Sequence, residues 1–197
     1  MNLPMEIQHI NVKLLLREPQ ALELERLVPI FHSWIQMQSR EELLIDVADY
    51  RHVSDGPGVM LIGHEGNYSV DETDHRRGVR YSRKAPVEGS TRDRLAQAVR
   101  AAITACQALE THPDLQGKLR FGGQEIEIVL NDRLLTPNDP STRQSLEPEF
   151  QFFFRTLFAG GEFTLTFSNG DPRRLFGVLA KSPRVFTTIE LLQNLPA

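Results

Sequence analysis

The stretch LLIDVADYRHVSDGPGVMLIGHEGNYSVD, residues 43–71, places two strand-like runs on either side of Ser54-Asp55-Gly56-Pro57-Gly58. Aspartate and a Gly-Pro-Gly run are what a tight reversal of the chain requires. The stretch therefore predicts a hairpin, with one strand over 43–53 and a returning strand over 59–70. Hairpin connections make antiparallel pairs. The expected register sets His52 opposite Met60, Tyr50 opposite Ile62 and Ala48 opposite His64. Strand alternation then puts Asp46, Tyr50, His52, His64 and Tyr68 on one face. Asp49, Arg51 and Glu65 share the other with Val47 and Leu61. Asp55 is expected to hydrogen-bond the turn backbone and so fix the register.

Working outward, EIQHINVKLLLREP reads as a strand ended by Pro19. ALELERLV supplies a helical turn or two, and Pro29 starts a helix with Phe31, Trp34 and Ile35 on one face. After the hairpin, GVRYSRKA is a further strand, reached through the polar loop DETDHRR. Ser90-Thr91-Arg92-Asp93 resembles a capping box. It opens the clearest helix in the chain, with Leu95, Val99, Ala102, Ile103, Cys106 and Leu109 on one stripe and Pro113 beyond its end. QEIEIVLNDRLL is a strand broken by NDPST. Residues 148–158 then read as an aromatic helix carrying Phe150, Phe153, Phe154, Leu157 and Phe158, closed by Gly160-Gly161. EFTLTFSN and LFGVLAKS are strands joined by Gly170-Asp171-Pro172. The tail VFTTIELLQNL is open between a short strand, a short helix, or one followed by the other.

The order strand, helix, strand, Gly/Asp/Pro turn, strand occurs twice. Ile10 and Val12 before Pro19 match Ile128 and Leu130 before Pro137. Pro29, Phe31, Trp34 and Ile35 match Pro148, Phe150, Phe153 and Phe154. DGPGVMLIG corresponds loosely to GDPRRLFGV. Element order, prolines and aromatic spacing together point to an internal duplication, with residues 5–71 and 124–181 superposing. The plain alternative is two unrelated α+β segments with generic helix grammar. Two β-α-β-β units cannot bury their apolar faces alone, and packing helices against a shared or facing sheet solves that. The fold expected is α+β: a mostly antiparallel sheet built from two pseudo-duplicated β-α-β-β units, with an additional central helix packed on it. Residues 1–197 form one compact domain, with pseudo-repeat halves at about 5–111 and 118–197 and ETHPDLQGK as the junction.

Bulk composition narrows the function classes. The chain has 197 residues with 22 basic and 26 acidic side chains, a net charge of −4. That balance argues against nucleic acid as a partner, which calls for a basic footprint. A single cysteine, Cys106, allows no internal disulfide and fits a reducing compartment. On its apolar helix face it reads as a small core residue, not a reactive thiol. MNLPMEIQHINVK lacks the pattern of a signal peptide. No apolar run approaches the ~20 residues of a membrane-spanning helix. The expectation is a cytoplasmic protein with no membrane partner.

Two stretches carry candidate chemistry. In the opening hairpin, His64, Glu65, Asp46 and Tyr50 are the candidate catalytic residues, because imidazole, carboxylate and phenol can move protons. Against this, His64 and Asp46 can simply hydrogen-bond within a half-buried sheet. His52 and His64 would stand more than ~12 Å apart in a regular hairpin, too far to share an ion, so no metal is expected, nor any cofactor. A bulge at Gly63 or Gly66 would change that geometry and could aim His64 or Glu65. In HRRGVRYSRK, the candidate binding residues Arg76, Arg77, Arg80, Arg83 and Lys84 could grip phosphates or an acidic partner. The bland counterpart is a solvated edge strand blunted by charge. The nucleophile elbow, the phosphate-binding loop and the dinucleotide fingerprint are all missing from the sequence.

The 43–71 stretch together with IEIVLNDRLLTPN resembles a family of uncharacterised bacterial proteins over most of the chain. The resemblance implies no activity, cofactor or site residue. The leading functional expectation is a non-catalytic module that binds another protein or itself as a homo-oligomer. The alternative is a small hydrolase or other acid/base enzyme centred on His64.

Overall fold

The computed structural model describes residues 6–38, 42–115, 117–168 and 170–196. The first five residues of the leader reading, Gln116 of the expected junction and Asn169 in EFTLTFSN lie outside them. Among the described residues the chain runs β1 (Ile10–Leu16), α1 (Leu27–Gln36), β2 (Leu44–Tyr50), β3 (Gly58–Gly63), β4 (Gly66–Asp71), β5 (Gly78–Arg83) and α2 (Thr91–Glu110). It continues through β6 (Phe121–Leu130), α3 (Pro140–Leu157), β7 (Thr164–Phe167), β8 (Phe176–Lys181) and α4 (Thr188–Asn194). The eight strands form one sheet in the order β2-β3-β4-β5-β1-β6-β8-β7, with every pair antiparallel. The architecture is α+β, as the sequence led one to expect.

Alternation divides the sheet into two unlike faces. Val12 pairs with Tyr81 and Ile128, Tyr81 with Tyr68, Tyr68 with Leu61, and Ile128 with Val178. All of these are buried and belong to one apolar core that also takes Phe31, Trp34, Leu95, Val99, Ile103, Phe150, Phe153, Phe154 and Leu157 from the helices. The described helices thus share one side of the sheet. α2 lies across β1 and β5, α1 lies over β2 and β3, and α4 sits among α2, α3 and β6. The opposite face, bearing Asn11, Lys13, Asn67, Ser69 and Asp71, is covered by none of the described α-helices.

α2 starts where the sequence says. Ser90 accepts from the Asp93 N–H, and Asp93 reaches back to the Ser90 N–H at 2.8 Å. Cys106 is buried on its inner stripe. The tail resolves into a helix capped by Thr187 and Glu190 in the same reciprocal way.

Several expectations are corrected. Residues 59–70 do not form one strand: His64 and Glu65 are the turn between β3 and β4. The Glu42 carboxylate accepts from the Glu65 and Gly66 N–H groups at 3.1 and 2.9 Å and pins that turn. A Cβ on Gly63 would come within 2.6 Å of the Gly66 carbonyl, and one on Gly66 within 2.6 Å of the Tyr81 ring. The two glycines therefore mark a tight corner between strands, not a bulge within one.

The first hairpin is also paired differently. Ala48 faces Met60 and Tyr50 faces Gly58, because residues 51–57 all belong to the turn and β3 begins at Gly58 with a φ of +63°. Asp55 does hydrogen-bond backbone, but that of His75 at 3.1 Å, while the Glu72 N–H donates to the Gly56 carbonyl. The two turns clip each other. Tyr68 lies on the core side and packs its ring, tilted, against that of Tyr81, away from Asp46.

β5 lies inside the sheet between β4 and β1, so the solvated-edge reading of the basic strand fails. α1 begins at Leu27, with Pro29 in its first turn. α3 begins at Pro140, not Pro148. Asp139 caps it by accepting from the Thr142 N–H, and Pro148 falls inside the helix. At its end Ala159, with φ of +52°, precedes Gly160 in the left-handed region.

The chain contains β1-α1-β2-β3 and later β6-α3-β7-β8. In the second segment the last strand lies beside the first. In the first segment the β4–β5 hairpin stands between β3 and β1.

Candidate functional site

The hairpin residues are spread out by the fold. His64 is exposed at the β3–β4 turn, held only through its backbone N–H to the Leu43 carbonyl at 2.8 Å. No hydrogen bond or ion pair joins its ring to another side chain among the described residues. Glu65 turns away to accept from Arg83 at 2.8 Å. Asp46 is exposed and accepts from the adjoining Val47 N–H. Tyr50 is exposed, its ring stacked 6.4 Å from that of His52. Asp49 binds the Arg51 guanidinium in bidentate fashion, and that hydrogen bonding holds its carboxyl down at about 2. Asp46 and Tyr50 share a face, but His64 does not meet them.

The basic stretch is brought together, with its charges already engaged. Arg77 binds Glu72 and the carbonyls of Pro19 and Leu22, tying the β1–α1 connection to β5. Arg83, only 9% exposed, binds Glu65 and the carbonyls of Ala85 and Pro86. Lys84 donates to the Gly63 carbonyl. These three act as staples. Arg76, paired with Glu125, and Arg80, paired with Asp71 at 2.9 Å, instead flank the uncovered face.

That face holds the most unusual chemistry in the molecule. At its centre Lys13 and Asp71 are each 2% exposed and form an ion pair. The Lys13 ammonium also donates to the Thr73 carbonyl at 3.2 Å. Asp71 accepts from the Thr73 N–H at 3.1 Å and hydroxyl at 2.9 Å. Burial pushes Lys13 below its usual 10.5, while the hydrogen bond and charge of Asp71 oppose that shift. A buried amine of lowered pKa beside a cleft is a candidate site on physical grounds, although structural ion-pair networks produce the same signature.

Beside this cluster an open groove of about 530 Å³ runs over β1, β6, β8 and β7. Its floor includes Asn11, Arg80, Glu127 and Thr166, and its walls come from Asp74, Arg76, Arg133, Arg173 and Arg174. Five buried side-chain polar atoms lack a partner among the described residues, and three belong to this face: Asn11 Oδ1, Asn67 Oδ1 and Arg80 Nε. Among the described residues no three His, Cys, Asp or Glu side chains group closely enough to hold a metal ion, and no helix is long and apolar enough to cross a membrane.

Sequence reasoning missed Lys13, Asn11 and three of the four wall arginines, Arg133, Arg173 and Arg174. A signal existed for Lys13: one lysine inside the apolar run INVKLLL must either reach solvent or meet a buried partner. Arg133, Arg173 and Arg174 sit in turns on either side of the second-half strands, and only the sheet order brings them together. Comparison of the chain with protein-family models, with curated proteins and with solved structures finds no match.

Proposed function

We propose that the chain is a non-catalytic binding module whose working surface is the uncovered face of the sheet. The observation that carries this reading is the set of buried polar atoms left without partners on that face. An unpaired buried donor or acceptor costs stability, and natural folds keep few of them. A face meant to lie against an apolar layer would carry valines and leucines at Asn11, Asn67 and Arg80. A polar partner would complete these groups instead. The dispersal of His64, Asp46, Tyr50 and Glu65 supports binding over acid/base catalysis, since a working pair must come within hydrogen-bond reach.

The internal duplication belongs to the same proposal. In both segments the second strand runs parallel to the first and the third returns antiparallel, lying nearer the first. The β4–β5 hairpin is then an insertion into the first copy. Self-association is the second form such binding takes, and the edge strands β2 and β7 are its other route. β2 is blunted against this by a register break between Leu44 and Asp46 and by the Asp46 and Asp49 carboxylates. The buried single cysteine fits a cytoplasmic setting.

The test is a set of amide-resolved NMR spectra recorded over a protein concentration series and against anionic, cationic and neutral small molecules. Perturbed amides are expected on β1, β4, β5 and β6 at uncovered-face positions. Perturbations confined to the helix layer or to the His64 turn would overturn the reading.

A further inference from the structure

We infer that the groove on the uncovered face binds a small molecule that joins an anionic group, phosphate or carboxylate, to hydroxyl donors. The inference rests on the binding-module reading and names its ligand class.

The volume suits such a ligand, since small-molecule sites commonly span roughly 300–1,000 Å³. Charge selects an anion. The groove-lining residues include five arginines against the two carboxylates Asp74 and Glu127, on a chain whose net charge is −4. Three of the arginines are balanced by Glu125, Asp71 and Asp171. Arg133 and Arg174 have no ion pair among the described residues, and both are exposed on the wall. Arg133 is oriented by donating to the Arg173 carbonyl at 2.8 Å, which sets it beside the Arg173–Arg174 turn. The exposed guanidinium groups of Arg133 and Arg174, without an ion pair among the described residues, match the geometry of phosphate and carboxylate oxygens.

The floor adds the second requirement. Among the described residues Arg80 Nε is a buried donor with no acceptor, and Asn11 Oδ1 is a buried acceptor with no donor. A bare anion satisfies the first and leaves the second unmet. A hydroxylated anion satisfies both, its acidic group on the arginines and a hydroxyl on Asn11. Both atoms are covered in the unliganded chain, so binding includes a shift of the side chains over them, while β1 and β5, paired through Lys13 and Arg80, already hold the two residues on adjacent strands.

The experiment titrates ribose 5-phosphate, gluconate, ribose and inorganic phosphate into the full chain at constant ionic strength, read by calorimetry and amide NMR. Ribose 5-phosphate or gluconate should bind at least about tenfold more tightly than ribose or phosphate, and the stronger of the two identifies the acidic group. Bound amides should include Asn11, Arg80, Arg174 and Gly177. Arg174→Glu, an exposed change, should weaken binding about tenfold, the order of one charge-assisted hydrogen bond. Asn11→Ala should remove the advantage of the hydroxylated anion over phosphate. Indifference to Arg174→Glu, or no shift at these amides with either hydroxylated anion, overturns the inference. If another probe or a second copy still shifts uncovered-face amides, only the ligand class has failed. If nothing does, the binding-module reading has failed with it.

Discussion

Lys13 and Asp71 show what a single residue can decide in this fold. Both oxygens of Asp71 are engaged, one by Lys13 and the Thr73 N–H, the other by Arg80 and the Thr73 hydroxyl. Asp71→Asn keeps the shape and removes the carboxylate charge that Lys13 and Arg80 share, leaving Glu127 as a weaker influence on Lys13. Breaking a buried pair in this way costs about 3–5 kcal/mol, measured by denaturant unfolding at pH 7. The pH dependence has a definite sign. Burial already lowers the folded-state pKa of Lys13 below 10.5. Between that lowered value and 10.5 the unfolded chain binds more protons, so stability rises with pH. Without Asp71 the folded value falls further and the window widens downward. The variant should therefore recover part of its deficit between pH 7 and 10. A deficit that stays constant over that range would show that Lys13 is not the destabilised group. The lysine inside INVKLLL signalled a need for a partner, but the partner was not legible in the sequence, because Asp71 lies 58 positions from Lys13 and only the strand order joins them. His64 gave the opposite impression: glycines on both sides made it look aimed at something, when they shape the turn that exposes it.

At the scale of the element, local grammar was readable wherever a side chain acts on its own backbone. The Ser90–Asp93 box and the six-residue apolar stripe specify α2 from local sequence alone. The start of α3 was written in the same grammar, Asp139 as cap and Pro140 at the first position, but NDPST also reads as a break after a strand. The basic stretch on β5 was misplaced for a different reason. Its interior position depends on Glu72, Asp71, Glu65 and Glu125 arriving from other elements to balance it. The end of α3 yields a prediction. Ala159 holds a φ of +52°, a conformation in which a Cβ meets the following carbonyl. It sits where glycine is the common helix terminator. Ala159→Gly should raise stability by about 1 kcal/mol, seen as a higher denaturation midpoint with an unchanged slope. A lowered midpoint would mean that the entropy glycine adds to the unfolded chain outweighs the relief.

For the whole molecule, the question is whether the two β-α-β-β segments unfold together. The sequence revealed their like order of elements, but not the β4–β5 hairpin between β3 and β1, nor the pairing of β1 with β6 that makes the sheet continuous. That pairing runs from Ile10 opposite Leu130 to Leu14 opposite Ile126. α2 covers β1 and β5 and also touches α3 and α4. Separating the halves would strip a ladder of hydrogen bonds and uncover the inner stripe of α2 in one step. Unfolding should therefore be a single transition. The probes to compare are already in the chain. Trp34, its one tryptophan, lies in α1 above β2 and β3 and reports that end of the sheet by fluorescence. Far-UV circular dichroism is dominated by α2 and α3, which have 20 and 18 residues against 10 in α1. The two signals should give the same midpoint in urea. A Trp34 midpoint clearly below the dichroism midpoint would mean that the β2–β3 end melts first. The β1–β6 ladder would then be a boundary between units instead of the centre of one.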